Sequence, residues 1–365
     1  MNVSSWVVTQ PNQPMELSWR TEVPAPGEAL VQVVGCGVCH TDLGYFFEGV
    51  PTRHSFPLTL GHEISGIVVE CGEGAEAWLG QHVVVPAVLP CGTCPACQAG
   101  RGHICPRQIF PGNDVHGGFA SHVRVPARGL CAVPALDDPI QNPAGVRLDA
   151  LAVVADAVST PFSAISRADL RPGDLAVWIG AGGVGGFGVQ ISAALGAHVL
   201  AIDINQTKLD SLAQYGASLT INSAVTDVKS IRRRVREFAE SHSVPPWRYR
   251  IFESSGHPAG QSLAWALLAH GAVLSVVGFT PLSVEIRLSN LMAFDGTAQG
   301  NWGCLPELYP QVVDLVLAGK VVLEPFIDRR PMSTINDVFQ ELHHGAVSGR
   351  IVLIPDAATT AQEVP

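Results

Sequence analysis

The 365-residue chain reads as an α/β protein of two domains, one mostly β and one a doubly wound parallel sheet. Three observations predict this. The length exceeds what one ordinary core accommodates. Up to about residue 150 the chain consists of short apolar runs broken by Pro and Gly, with little helical periodicity. From Asp174 onward, apolar strands alternate with helices, the pattern of a parallel sheet covered on both faces.

Taken in order, residues 1–36 are β-rich, and Ala29–Val34 is a strand candidate after the turn Pro24-Ala25-Pro26-Gly27. A stretch containing Cys39 and Asp42 follows, read as a loop. Ile64–Glu70 and His82–Val88 are further strands, and Gly117–Ala120 opens another through Val125. Leu151–Arg167 reads as one helix despite Pro161. The α/β half then runs through a strand at Leu175–Ile179, a helix at 183–195, a strand at His198–Ile202 and a helix at 206–215. Ile251–Glu253 and Ala272–Val277 continue the strands, with a helix at Gln261–Ala269 between them. Arg350–Ile354 is a last strand, and 356–365 is expected to be frayed.

Hydrophobic residues make up 47% and charged residues 15%, which excludes a disordered chain. The net charge of −10 disfavours nucleic acid or an anionic membrane as partner. The basic run Arg232-Arg233-Arg234-Val235-Arg236 reads as the solvated face of a helix. Leu175–Ile202 lacks Asp, Glu, Lys and Arg, so length alone would allow a membrane span. Its many glycines fit a turn-and-helix reading better. Met1–Gln10 has no signal-peptide pattern, so a cytoplasmic location with nine reduced cysteines is expected.

Two groups of residues have the chemistry of metal ligands. Cys91-x2-Cys94-x2-Cys97-x7-Cys105 can wrap one tetrahedral Zn²⁺ with no position left open, which is a structural site. An iron–sulfur cluster or unrelated thiols are the alternatives. Cys39 and His62 offer a thiolate and an imidazole, half of a second zinc site. Asp42 and Glu63 lie close in sequence and suit carboxylates that orient a ligating histidine.

Gly180-Ala181-Gly182-Gly183-Val184-Gly185 follows an apolar strand and opens a helix, the context a dinucleotide fingerprint requires. Its glycines permit a tight turn, approach to a pyrophosphate and helix-on-strand packing. Asp203 ends the next strand, where a carboxylate takes the ribose 2′-hydroxyl of NAD and repels the phosphate of NADP. Lys208, one helical turn on, keeps NADP open. The bland reading is a glycine-rich turn without ligand.

Together these motifs, in this order and across nearly the whole length, resemble the zinc-dependent medium-chain alcohol dehydrogenases. The resemblance implies a GroES-like catalytic domain of residues 1–157 and 301–365, with a structural zinc lobe at about 90–106. It implies a Rossmann NAD-binding domain over 158–300, with the active site in the cleft between the two. It implies two Zn²⁺ per chain, one catalytic and one structural. By motif, Cys39 and His62 match zinc ligands, with Glu63 a possible further one. Asp42 matches the carboxylate orienting the histidine, and Thr41 the hydroxyl that takes the alcohol's proton. His40 matches a pyrophosphate-binding position, Lys208 a ribose contact, and Arg350 (in Ser348-Gly349-Arg350-Ile351-Val352) a basic residue near the pyrophosphate. The nicotinamide is placed against Gly278. A homotetramer or homodimer is implied.

Two departures stand out. Many members carry a Cys as third zinc ligand four residues before a Thr, and here Asp156 precedes Thr160 by that spacing. Some bacterial secondary-alcohol dehydrogenases also use Asp, and the charge sum on the metal is unchanged. The alternative is a helix N-cap without metal. At position 44, several relatives have a proton-relaying His, and this chain has Gly44.

The implied reaction is reversible oxidation of a secondary alcohol. The chain as a whole also resembles the 6-hydroxycyclohex-1-ene-1-carbonyl-CoA dehydrogenases of anaerobic aromatic degradation, a likeness carried by no single motif. It implies a cyclic allylic alcohol borne as a CoA thioester. Arg53 and His54 would meet CoA phosphates, and Val88 and Leu89 would line a wide apolar pocket. The alternatives are a general secondary-alcohol or polyol dehydrogenase, a zinc-free reductase of the same superfamily, and a non-catalytic NAD-binding structural protein.

Overall fold

The computed structural model describes residues 1–347 and 349–356. Ser348 of the Arg350 motif, and the stretch expected to be frayed beyond Asp356, lie outside the described residues. The chain divides into two compact units.

The first unit comprises residues 1–159, 303–319 and the chain from Leu323 on. Among the described residues its main sheet has seven strands. Glu28–Gly37 lies at the centre and pairs antiparallel with Glu63–Cys71 and with His122–Pro126. His82–Val85 and Cys131–Ala132 extend one side. On the other side Arg350–Ile354 aligns Val352 with Gly37, and Ile327–Pro331 pairs parallel to it. Alternating apolar positions (Val31, Val33, Ile64, Val68, Val83, Val85, Val123, Val125) point into one core. The register sets Gly37 opposite Glu63. The site therefore grows from the ends of two neighbouring strands.

The second unit comprises residues 160–302 and 320–322. Its six strands are all parallel, in the order Leu219–Asn222, His198–Asp203, Leu175–Ile179, Tyr249–Glu253, Val273–Val276, Thr297–Gly300. Chain order reverses between Leu175–Ile179 and Tyr249–Glu253, which creates a switch point at their carboxyl ends. Leu175–Ile179 is fully buried, as a central strand covered on both faces must be. The α/β sheet and the mostly-β unit are the fold class expected. No described helix is long and apolar enough to cross a membrane. Leu175–Ile202 is instead strand, helix Gly183–Ala194 and strand.

Several local expectations need correction. The stretch after Cys39 is the helix His40–Phe47, with Cys39 as its N-cap. A capping box joins Cys39 and Asp42, a local signal that the metal reading of those residues masked. Leu151–Arg167 is not one helix. A 3₁₀ helix, Ala150–Ala155, ends before Asp156, and the α-helix starts at Ser159. Pro161 falls in that helix's first turn, where its missing N–H costs nothing. Thr297–Gly300 and Ile327–Pro331 carry little apolar signal. They are strands because a neighbouring strand supplies backbone partners.

Candidate functional site

In the first unit, four side chains from separated segments converge. One ligand atom from each of Cys39, His62, Glu63 and Asp156 lies within 4.8 Å of the others. Asp156 Oδ2 is 3.6 Å from Cys39 Sγ and 3.6 Å from His62 Nε2. Ligands around one tetrahedral zinc stand about 3.4–3.8 Å apart, given its bond lengths. His62 is 1% exposed, and neither ring nitrogen makes a well-formed hydrogen bond, each having only a carboxylate oxygen at 3.4 or 3.6 Å. A buried imidazole left so is costly unless a metal takes one nitrogen. The donor set and this orphaned nitrogen fit Zn²⁺.

Asp42, fully buried, ties the cluster together. Its Oδ2 accepts the Cys39 N–H at 2.9 Å and its Oδ1 the Gly61 N–H at 3.1 Å. Oδ1 also lies 3.4 Å from His62 Nδ1, which turns Nε2 toward Asp156. Glu63 is fully buried. Its Oε1 accepts Arg350 Nη2 at 2.6 Å, and its Oε2 has no partner. A Cβ on Gly37 would stand 2.1 Å from that Oε2, so only glycine leaves room for the carboxylate. Burial pushes the Glu63 carboxyl up to about 7 against the pull of the Arg350 guanidinium. Burial works against a charged His62, but Asp42, Asp156 and Cys39 together raise it well above the ordinary histidine value. Three carboxyls and a thiol around one guanidinium make a place that draws a cation.

Asp156 is not a helix N-cap, since the following helix begins three residues later. Thr41 is exposed on the first turn of its helix, its Oγ1 3.7 Å from Cys39 Sγ. His40 precedes it, also exposed.

Cys91, Cys94, Cys97 and Cys105 form the other cluster among the described residues. Cys94 Sγ is 3.4 Å from Cys97 Sγ and 3.6 Å from Cys105 Sγ, and Cys91 to Cys97 is 4.0 Å. The backbone N–H groups of Cys91 and Arg107 point at Cys105 Sγ at 3.4 and 3.3 Å. The Thr93 backbone N–H leads the effects that hold Cys91 down at about 5, toward the thiolate a metal takes. Four sulfurs leave no open position.

In the second unit the glycines divide the labour. Gly180 has φ +93°, and a Cβ there would strike Ser255 N at 2.6 Å. A Cβ on Gly185 would be 1.8 Å from Gly180 O. Gly182 faces open space, as a backbone approached by phosphate should. Gly182 caps the helix that starts with Gly183 and Val184. Asp203 Oδ2 accepts the Ala181 N–H at 2.6 Å, and its Oδ1 the Asn205 N–H at 2.8 Å. Lys208 sits on the first turn of helix Gln206–Gln214. Gly278 N–H donates to Glu253 O at 2.9 Å.

Residues 25–135 match the family described as alcohol dehydrogenase GroES-like domain, and residues 183–318 match zinc-binding dehydrogenase. The chain is 30% identical over 330 residues to an alcohol dehydrogenase of Geobacillus stearothermophilus, covering 90% of this chain and 91% of that one. It belongs to the zinc-dependent medium-chain alcohol dehydrogenase family. An L-threonine 3-dehydrogenase of Bacillus subtilis is 30% identical over 350 residues, covering 92% and 94%. The crystal structure of galactitol-1-phosphate dehydrogenase from Escherichia coli superposes with a TM-score of 0.85 at 26% identity, covering 96% of this chain and all (100%) of that one. As a medium-chain alcohol dehydrogenase the protein is a zinc-dependent enzyme acting on CH–OH groups.

Some site contacts escaped the sequence reading. Arg350, assigned by resemblance to a pyrophosphate, is buried on Glu63, with Nη1 also 3.3 Å from Val38 O. Glu253 is fully buried at the end of its strand, its Oε1 accepting Ser255 N–H and Oγ–H at 2.8 and 2.5 Å. An acid closing the apolar run before Ser254-Ser255-Gly256 was the available signal. The pocket assignment of Val88 and Leu89 is corrected. Leu89 is fully buried in the β-unit core and bonded to Ile109. Val88 is 1% exposed and packs beside Gly303. Neither presents a wall to a ligand. Arg53 is exposed and paired with Asp114 at 3.2 Å, and His54 Nδ1 lies 2.6 Å from Ser55 O.

Proposed function

We propose that this enzyme oxidises a secondary alcohol to a ketone with NAD, using Cys39, His62 and Asp156 as ligands of the catalytic zinc. The observation that carries the reading is the convergence of a thiol, an imidazole and a carboxyl on one buried point, with Asp156 partly open to solvent. Zinc held there supplies Lewis acidity toward a bound alcohol oxygen, and NAD supplies the hydride acceptor. Asp42 holds His62 in one tautomer. Glu63, balanced by Arg350, is a further ligand in reserve. Thr41 takes the alcohol's proton. Gly44 offers no side chain, so the proton leaves Thr41 through water or His40.

The glycine turn at 180–185 binds the pyrophosphate, and Arg350, whose Nε has no hydrogen-bond partner, is a further basic group for it. Asp203 and Lys208 bind the ribose, and the nicotinamide lies at Gly278. Asp203 supports NAD over NADP because a 2′-phosphate would meet its carboxylate. The name L-threonine 3-dehydrogenase, carried by a relative, supports a hydroxyl on an internal carbon.

For the specific substrate we propose 6-hydroxycyclohex-1-ene-1-carbonyl-CoA, oxidised to the 6-oxo thioester. The support is the overall likeness of the chain, with Arg53, exposed but paired with Asp114, as the group that would turn to a CoA phosphate. A homo-oligomer and a cytoplasmic location belong to the same reading. The test is NADH formation over cyclic alcohols, free and as CoA thioesters, beside threonine and polyols. Turnover confined to the thioester supports the full reading. Turnover of free alcohols alone leaves a general secondary-alcohol or polyol dehydrogenase. No NADH from any secondary alcohol would refute both.

A further inference from the structure

We infer that Tyr309 is a positioning residue for Asp156. Its hydroxyl anchors the Ala155 carbonyl, and that peptide sets where the Asp156 carboxylate meets the metal. The inference rests on the reading of Asp156 as a zinc ligand.

The 3₁₀ helix Ala150–Ala155 ends on a carbonyl that its own helix leaves unpaired. Three donors from three segments converge on Ala155 O. Tyr309 Oη lies at 2.5 Å, Ser159 Oγ at 3.1 Å and Ala87 N at 3.4 Å. Ser159 Oγ is also 3.2 Å from Tyr309 Oη, so its single hydrogen is shared between them. Ala155, Ser159 and Tyr309 are fully buried and Ala87 nearly so.

Asp156 follows directly, with φ −141° and ψ −60°, outside any helix or strand. The Ala155 carbonyl belongs to the peptide plane that carries the Asp156 Cα, so holding the oxygen orients the next residue. A ligating carboxylate must be held to within about 0.5 Å of its working position. Tyr309 opens the helix Tyr309–Leu317 and reaches back across 154 residues to do this. A phenylalanine would fill the same buried volume. The hydroxyl costs desolvation and is worth burying only for its bonds.

The test is Tyr309→Phe, with Ser159→Ala as a milder variant and Asp156→Asn as reference. Zinc release to a chelator is followed per site, with the four-cysteine zinc as internal control. The visible spectrum of Co²⁺ placed in the mixed site is a second readout. Tyr309→Phe should release the mixed-site zinc about 10-fold more readily and shift the cobalt bands, with the four-cysteine zinc unmoved. Ser159→Ala should move both in the same direction by less, and it decides the question if Tyr309→Phe fails to fold. If Asp156→Asn loosens the zinc while both bracing variants leave release and spectrum unchanged, the positioning role is overturned and the ligand reading stands. Bracing variants that lose thermal stability and nothing else overturn it too. If Asp156→Asn leaves the zinc untouched, the ligand reading fails and takes this inference with it.

Discussion

Cys91, Cys94, Cys97 and Cys105 come from one short loop, whereas Cys39, His62, Glu63 and Asp156 come from a helix N-cap, a strand entrance and the end of a 3₁₀ helix. The first cluster is all sulfur and closed. The second mixes donors, leaves one of them partly open, and is surrounded by braces: Asp42, Gly37, Arg350 and Tyr309. A loop cluster is held together by its metal, so it stabilises the chain locally. A cluster assembled from distant segments is held by the fold, so the metal can spare a position for substrate.

This contrast can be broken in order of effect. Cys39→Ala should abolish turnover, by at least about 10³-fold if zinc supplies several kcal/mol to the transition state. NAD binding should persist, and metal analysis should find one zinc per chain instead of two. Retained activity would remove the mixed cluster from the chemistry. Cys94→Ser should do the opposite. Loss of the lobe's zinc should lower thermal stability by several degrees or more, while the fraction still folded keeps most of its kcat. A kcat loss as large as that of Cys39→Ala would erase the distinction.

Gly37→Ala forces a methyl against Glu63 Oε2, at an expected cost of about 1–3 kcal/mol in unfolding free energy. Zinc at the mixed site should be held less tightly, and the cysteine lobe should be unaffected. An effect on pH dependence lies outside both clusters. His122 is buried, and desolvation holds it down at about 4. The unfolded chain takes up that proton near pH 6.5, so stability falls as pH drops from about 6.5 to about 4, by at most about 1.4 kcal/mol per unit. Below that window both states are protonated and the slope from His122 ends. His122→Gln should flatten urea-unfolding stability across this range by that share, without moving either zinc.

Much of this was legible along the chain, unevenly. The four cysteines and the glycine turn are local motifs, where spacing alone brings the groups together. Leu175–Ile179 reads as a buried strand because every residue in it is apolar. The mixed cluster was partly legible: Cys39 and His62 from their chemistry, Asp156 only through likeness to a family. Nothing in Ala150–Ala155 announces that its end turns a carboxyl toward Cys39. The pairing of Arg350 with Glu63 was not legible, because strand pairing, which sets them side by side, is not visible in one strand alone. Val88 and Leu89 were misplaced because an apolar pair looks the same in a pocket wall and in a core.

Residue type and spacing by themselves determined the two kinds of metal donor, the parallel α/β unit and the carboxylate at position 203. These depend on short-range periodicity and on the coordination chemistry of side chains. Only the tertiary structure decided that Glu63 and Asp156 both gather beside the cysteine and the histidine, what braces them, and which glycine must stay bare for Glu63. Those are non-local contacts, set by the register that puts Gly37 opposite Glu63 and by hydrogen bonds that span 117 and 154 residues of chain. Such pairings depend on the simultaneous packing of the whole unit, which no local window contains.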